Sequence, residues 1–344
     1  MIRFLVILFL TGFFFTENTI ISAETEKMIR EPAVAGDFNG FYPSTTSRLK
    51  EMIGDFLNQA DKTSFNGTPF AIIVPHAGYV FSGAVAGKGF KQIENLAPKT
   101  IFLIGSSHNW GYTGASVPNY DAYKTPLGTV PVNQKMISKL EQANPFIKRN
   151  VLFPARQSLF DSGKKLSVHA VEHSLEVEIP FLQILFSDFT IVPILFGSDD
   201  EKACRSIGKT LGRICAENKD CLIVCSTDLT HYPPYEAAKK TDKETLKKIA
   251  AMDVIKLRKY ISEYDMQTAS NLQTLMCGKA AVYCTIEAAL EFGINNAEII
   301  AYANSGDAPS PYGKKDRVVG YGTVLLYPVK DSHHQRNSLE DKAL

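Results

Sequence analysis

Neither sign of charge dominates this 344-residue chain: 37 Lys and Arg stand against 36 Asp and Glu, a formal charge of +1. A protein that neutralises many phosphates needs a basic excess, so nucleic acid is not an expected partner. No Gly/Ser/Pro-rich linker, low-complexity tract or internal repeat interrupts the chain, which argues for one continuous core rather than tethered domains. The six cysteines include no Cys-x-x-Cys, and that removes a structural zinc ribbon. Gly-x-Ser-x-Gly, Gly-x-x-x-x-Gly-Lys-Ser/Thr and His-Glu-x-x-His are also absent. The serine elbow, the phosphate-cradling loop and the two-histidine zinc helix therefore do not apply.

Long apolar runs are missing too, except at the start. Arg3 precedes an almost wholly apolar stretch from Phe4 to Phe15, and Ile21-Ser22-Ala23 offers a small residue before Glu24. This is the pattern of a secretory signal peptide, expected over residues 1–23. The run is about half of the ~20 residues a bilayer span requires, so no stable membrane span is expected after cleavage. The first cysteine is Cys204, which disfavours a lipid-modified N-terminus. The expected location is secreted or periplasmic, where disulfides persist. Spacing allows Cys204 or Cys215 to bridge to Cys221 without choosing between them, and buried free thiols are the equal alternative.

The folded part is expected over residues 28–329, followed by a polar, disordered tail over 330–344. Leu49, Met52, Ile53, Phe56 and Leu57 recur at helical spacing after Pro43-Ser44-Thr45, predicting an amphipathic helix with a capping start. Four apolar runs read as buried strands: Phe70 to Val74, Ile101 to Ile104, Phe189 to Leu195 and Leu222 to Cys225. Between them, Leu175, Ile179, Leu182 and Leu185 predict a helix kinked by Pro180, and Ile207, Leu211 and Ile214 one opened by Ser198-Asp199-Asp200. Residues from about Tyr235 to Phe292 read as helical with a break at Cys277-Gly278. Strands at Ile299 to Ala303 and Val318 to Tyr327 close the chain, the second alternating as an antiparallel or edge strand does. Apolar strands separated by helices predict a single-domain α/β fold, a three-layer αβα sandwich with a mixed, mainly parallel central sheet.

In such sheets ligands collect beyond the carboxyl ends of the strands. His76, His108 and His231 each follow an apolar strand by a few residues, and His173 opens a helix in Glu172-His173-Ser174-Leu175-Glu176. His333 and His334 belong to the polar tail, and His169 carries no signal. Neutral imidazole ligates iron, copper or zinc, and a carboxylate commonly fixes its tautomer; Asp228, Glu172 and Glu176 are candidates for that role. Spacing alone places two or three histidines on a metal, with the rest as base or orienting groups, and does not say which. The absent templates do not exclude a Cys277/His231 nucleophilic pair, since a thiolate with an imidazole is the minimum for acyl transfer.

From Arg30 to Tyr327 the chain resembles the Memo family. The matching segments are Pro32-Ala33-Val34-Ala35-Gly36-Asp37-Phe38 with Phe41-Tyr42-Pro43, Pro75-His76-Ala77-Gly78-Tyr79 with Ser82-Gly83, Gly105-Ser106-Ser107-His108, and Thr125-Pro126-Leu127-Gly128. Further along are Glu172-His173-Ser174-Leu175-Glu176, Ser226-Thr227-Asp228-Leu229-Thr230-His231-Tyr232 and Cys277-Gly278. The resemblance implies a fold similar to class III extradiol dioxygenases and a mononuclear iron or copper site, with zinc as a further option. Its ligands would be His76, His108 and Cys277. His231 would be acid/base, with Asp228, His173 and Glu176 supporting.

A thiol where the related dioxygenases have a carboxylate is softer and favours copper(I), zinc or a redox-tuned iron. A following helix dipole and Lys279 would favour its thiolate. After Cys277-Gly278, Lys279-Ala280-Ala281 departs from the proline that often follows in relatives. The expected activity is oxidoreductase-like. The alternatives are metal handling without turnover, and a peptide-binding module in the same cleft, for which Lys124, Lys279 and Lys314 would supply a basic rim. Either a small molecule or a peptide would sit in the metal cleft.

Overall fold

The apolar runs become strands because each can bury both faces under helices. In the computed structural model, which describes residues 27–37, 40–65, 67–154 and 165–328, the chain enters as β1 (Ile29–Arg30) and α1 (Thr46–Asn58), then β2 (Ala71–Val74), α2 (Tyr79–Ile93) and β3 (Thr100–Ser106). Short pieces follow: β4 (Ala115–Val117), β5 (Ala122–Thr125), β6 (Gly128–Pro131), α3 (Gln134–Ala143), β7 (Ile147–Arg149), β8 (Leu152–Pro154) and β9 (Lys165–Ser167). The last part runs α4 (Ile179–Leu185), β10 (Thr190–Phe196), α5 (Glu201–Glu217), β11 (Cys221–Ser226), α6 (Tyr235–Ala250), α7 (Val254–Glu263), α8 (Lys279–Phe292), β12 (Asn296–Asn304) and β13 (Gly320–Tyr327). The expected signal peptide (1–23) and tail (330–344) lie outside the described residues.

The main sheet has eight strands in the order β12-β13-β2-β11-β3-β10-β4-β7. Its centre, β2-β11-β3-β10, is parallel. Antiparallel β13 and β12 extend it beyond β2, and β4 pairs antiparallel to β10. Helices α1, α2 and α4 pack together as one layer, and α5, α7 and α8 as another, with α8 lying on β2, β3, β10 and β11. This is the expected single-domain αβα sandwich with a mainly parallel sheet. Among the described residues no helix is long and apolar enough to cross a membrane.

Local differences have physical causes. Pro180 does not kink a helix; it sits in the first turn of α4, where its missing N–H costs nothing, and a 3-10 turn at Glu176–Glu178 precedes it. The Lys/Glu/Ala/Leu-rich stretch after Tyr235 is three helices, because the chain must turn at 251–253 and then run irregularly to Gly278. The last strand is antiparallel as its alternation suggested, yet it is internal; β12 takes the edge. At the start of α5, Asp200 caps as expected, accepting from Ala203 N at 2.8 Å.

All six cysteines are free thiols. Cys204 is buried against Arg258, whereas the Cys215 and Cys221 thiols lie beside each other. The end of α5 and the start of β11 thus single out one of the two pairings that spacing left open. Treating the folded protein with a small-molecule disulfide should close Cys215–Cys221, read as a loss of two hydrogens on the peptide pair by mass spectrometry. A Cys204–Cys221 bridge, or none, would contradict this geometry.

Candidate metal centre

Strand order, not chain order, assembles the site. β11 lies between β2 and β3, so the loop after Val74 that carries His76 and the loop after Ser106 that carries His108 flank the end of β11. Cys277 arrives from the other direction, just before α8. Gly278 makes its approach feasible: a Cβ there would stand 2.6 Å from Thr227 Cβ and 2.7 Å from Ser226 O. The Gly278 amide donates to Thr227 Oγ1 at 2.9 Å, and the Cys277 amide to Asp228 O at 3.3 Å. The helix start is thereby pinned to the strand end.

The result is a convergence of ligand atoms. One atom each from His76, His108 and Cys277 lies within 4.8 Å of the others. His76 Nε2 is 3.3 Å from Cys277 Sγ, and the His76 and His108 rings stand edge to face, 5.1 Å between centroids. The spacing fits a metal ion. Bonds of about 2.3 Å to sulfur and about 2.0–2.1 Å to nitrogen at a tetrahedral angle put S and N roughly 3.5 Å apart, close to the separation seen. Two imidazoles and a thiol form a borderline-to-soft donor set suited to iron, copper or zinc.

Each imidazole is oriented from behind. His108 Nδ1 meets Glu172 Oε1 at 2.8 Å, and the His108 amide donates to Glu172 Oε2 at 2.8 Å, which leaves Nε2 for the cluster. Burial lowers the His108 pKa, but hydrogen bonds to Cys277 and Glu172 outweigh it and raise it to about 10. The same contact helps to bring Glu172 down to about 2 despite burial. His76 Nδ1 lies 2.7 Å from Ser226 Oγ, which donates to Glu178 Oε1 at 2.9 Å. Burial first, then the neighbouring imidazoles, hold the His76 pKa well below the ordinary value. Its ring is neutral with a lone pair to offer.

The remaining expected residues divide. His231 hydrogen-bonds Leu229 O through Nδ1 at 2.9 Å, so Nδ1 carries the proton and Nε2 is an acceptor. Burial lowers its pKa, and His108 adds to the effect. His173 joins the cluster's outer side, 4.5 Å from His108 and 5.4 Å from His76 between ring centroids, with Phe41 on its edge; burial lowers its pKa to about 4. Asp228 orients no ring. Its Oδ1 accepts from the His76 amide at 2.8 Å, it also holds Ala77, and burial raises its pKa to about 7.

Glu176 is turned away from the cluster. It pairs with Arg30 and accepts from Ala33 N, Val34 N and Tyr42 Oη. It therefore anchors the N-terminal segment rather than a ligand. Lys279, expected to favour the thiolate, is ion-paired to Asp199 at 3.1 Å, and Lys124 to Glu31 at 3.0 Å, so two of the three rim lysines are already neutralised.

Sequence reasoning missed Ser226 and Glu178 as orienting groups, and His169 as a buried residue. Glu178 had a signal, being a carboxylate set between Val177 and Ile179. His169 is buried with its Nδ1 3.0 Å from Tyr123 Oη and its Nε2 3.1 Å from Ser116 O, a partnering that only the fold supplies.

Comparison with known proteins points to one family. A family described as Memo-like protein matches residues 30–325. A MEMO1 family protein of Methanopyrus kandleri is 30% identical over 309 residues, covering 87% of this chain and 99% of the relative. Others from Methanobrevibacter smithii (32% over 310 residues, 87% and 100%) and Thermotoga petrophila (31% over 312 residues, 87% and 100%) are similar along their whole length. A crystal structure of an uncharacterized Escherichia coli K12 protein aligns at 13% identity with a TM-score of 0.42, over 73% of this chain and 98% of its own.

Proposed function

We propose, from the premise that this chain belongs to the Memo family, that it is an exported protein holding one iron or copper ion on His76, His108 and Cys277 and acting as an oxidoreductase. One observation carries the reading: three donors from distant parts of the chain converge within 4.8 Å. A bound ion would supply Lewis-acid or one-electron chemistry at this cluster. The protein's own residues do the rest. Glu172 and Ser226 aim the two imidazoles, and Asp228 fixes the backbone of the His76 turn. His231, a neutral imidazole with Nε2 unprotonated, is the group that takes a proton from a small molecule seated there.

Elemental analysis of protein made in its native compartment, followed by oxygen consumption with catechols, tests the reading. One equivalent of iron or copper with turnover is expected; metal-free protein that stays active in chelator would favour the Cys277/His231 nucleophile instead. His231→Asn should keep the metal and lose about 10²–10⁴ of the turnover rate, the usual contribution of a positioned base. Equal turnover in the variant would remove His231 from the chemistry.

A second reading, metal handling without turnover, is favoured by accessibility. The His108 side chain is 29% exposed, and Cys277 is half-buried, so an ion held there is open to exchange. Rapid transfer of the ion to a competing thiol chelator, with no oxygen consumed, is its signature.

A further inference from the structure

Behind His76 a chain of hydrogen bonds runs away from the cluster into the interior. His76 Nδ1 is 2.7 Å from Ser226 Oγ, and Ser226 Oγ is 2.9 Å from Glu178 Oε1. All three residues are buried, at 2%, 0% and 1% exposure. A serine hydroxyl has one proton to give. Burial raises the Glu178 pKa, and its carbonyl oxygen accepts in either protonation state; with the hydroxyl proton given to that oxygen, Ser226 Oγ can only accept from the ring, so Nδ1 carries the proton and Nε2 the lone pair. Nε2 is the atom that faces Cys277 Sγ at 3.3 Å.

Without an acceptor at Glu178, the hydroxyl is free to rotate and donate to Nδ1. That geometry stabilises the opposite tautomer, with a proton on Nε2 where a metal–nitrogen bond has to form. Glu178 has no other visible purpose. Among the described residues its carboxyl forms no ion pair and hydrogen-bonds to Ser226 alone, and it interrupts the apolar run Val177-Glu178-Ile179-Pro180. A buried carboxyl with a single partner is a cost to folding that an apolar side chain would avoid.

We propose that Glu178, acting through Ser226, is a positioning residue that holds His76 in the Nδ1–H tautomer and so keeps Nε2 available as a ligand. The consequence for metal binding rests on the function proposed above; the tautomer does not. Glu172 plays the same part for His108 by direct contact, so the two imidazoles are aimed by different devices, one at the rim and one in the core.

The test uses the mature chain, unmodified and as Ser226→Ala, Glu178→Met and Glu178→Gln, with two readouts. Nitrogen NMR of isotope-labelled histidine reports the His76 tautomer in metal-free protein, and competition with a chromophoric chelator reports affinity for zinc or cobalt. The unmodified protein should show Nδ1–H. Ser226→Ala and Glu178→Met should shift His76 toward Nε2–H and weaken metal binding by about 10–100-fold, the usual effect of losing such a partner. The double variant should lose no more than either single one, because both lie on one path. Glu178→Gln, which keeps an acceptor oxygen, should restore the tautomer and most of the affinity. An unchanged Nδ1–H tautomer in both Ser226→Ala and Glu178→Met overturns the assignment. A protein that binds no metal, yet whose tautomer shifts in Glu178→Met, upholds the assignment and removes the metal reading alone.

Discussion

Cys277→Ser, purified beside the unmodified protein, should retain little of its iron or copper, with affinity lowered by on the order of a hundredfold or more. Losing an orienting partner alone costs about 10–100-fold, and losing a ligand costs at least as much. The fold should survive, since Cys277 lies in a half-buried loop before α8 and the bonds that pin this segment, Cys277 N to Asp228 O and Gly278 N to Thr227 Oγ1, do not use its sulfur. Serine keeps the size and replaces a soft donor by a hard, poorly ionised one. Asp228→Asn is the matched control, because its Oδ1 holds the His76 amide rather than facing an ion; that variant should keep the metal. Metal content in Cys277→Ser equal to that of the unmodified protein would take the sulfur out of the ligand set.

The second large effect concerns stability. Arg30 is 1% exposed and pairs with fully buried Glu176. It also donates to His169 O at 3.1 Å and Glu172 O at 2.7 Å, and its guanidinium lies 5.4 Å from the centre of the Tyr123 ring. Arg30→Met would leave the Glu176 carboxylate buried without its cation, a change that costs about 3–5 kcal/mol. Urea unfolding should show that loss. The double variant Arg30→Met with Glu176→Gln should be less destabilised than the two single losses summed, because the pair is one unit. A second consequence follows from geometry: Arg30 grips Glu172 O, and Glu172 aims His108, so the folded fraction of Arg30→Met should also bind metal more weakly. A loss below about 1 kcal/mol would place Arg30 among ordinary surface ion pairs.

The parts legible in the sequence are those where one local signal suffices. The buried stripe of α1 and the four apolar strands depend on periodicity and on burial of both faces, and they form where expected to within about two residues. His76 and His108 stood out because strand ends in parallel sheets are where polar loops gather. What spacing could not supply was neighbourhood. The choice of partner for His76 follows from β11 being inserted between β2 and β3, a non-local pairing that no window of residues encodes. Cys277 was marked in the sequence as a break in a helical stretch; the family resemblance made it a ligand, and the contact of Gly278 with Thr227 gives the physical reason.

Carboxylates were harder still. Glu172, Glu176, Glu178 and Asp228 are all buried, and their tasks differ because their partners differ: a ring for Glu172, an arginine for Glu176, a serine for Glu178, a backbone turn for Asp228. A charged side chain is defined by what neutralises or hydrogen-bonds it. The short strands from Ala115 to Ser167 escaped notice for another reason. At three or four residues each they carry too few positions for alternation to be read, and they persist because the main sheet and the hairpin pair with them.

X-ray absorption at the metal edge of the ion-loaded protein bears most directly on the whole account. One sulfur and two imidazole nitrogens in the inner shell, with the sulfur lost in Cys277→Ser and the nitrogens reduced in His76→Ala, is the expected spectrum. A shell of nitrogen and oxygen alone, the same in the unmodified protein and in Cys277→Ser, would mean that the ion sits elsewhere and that the meeting of these three side chains serves some other end.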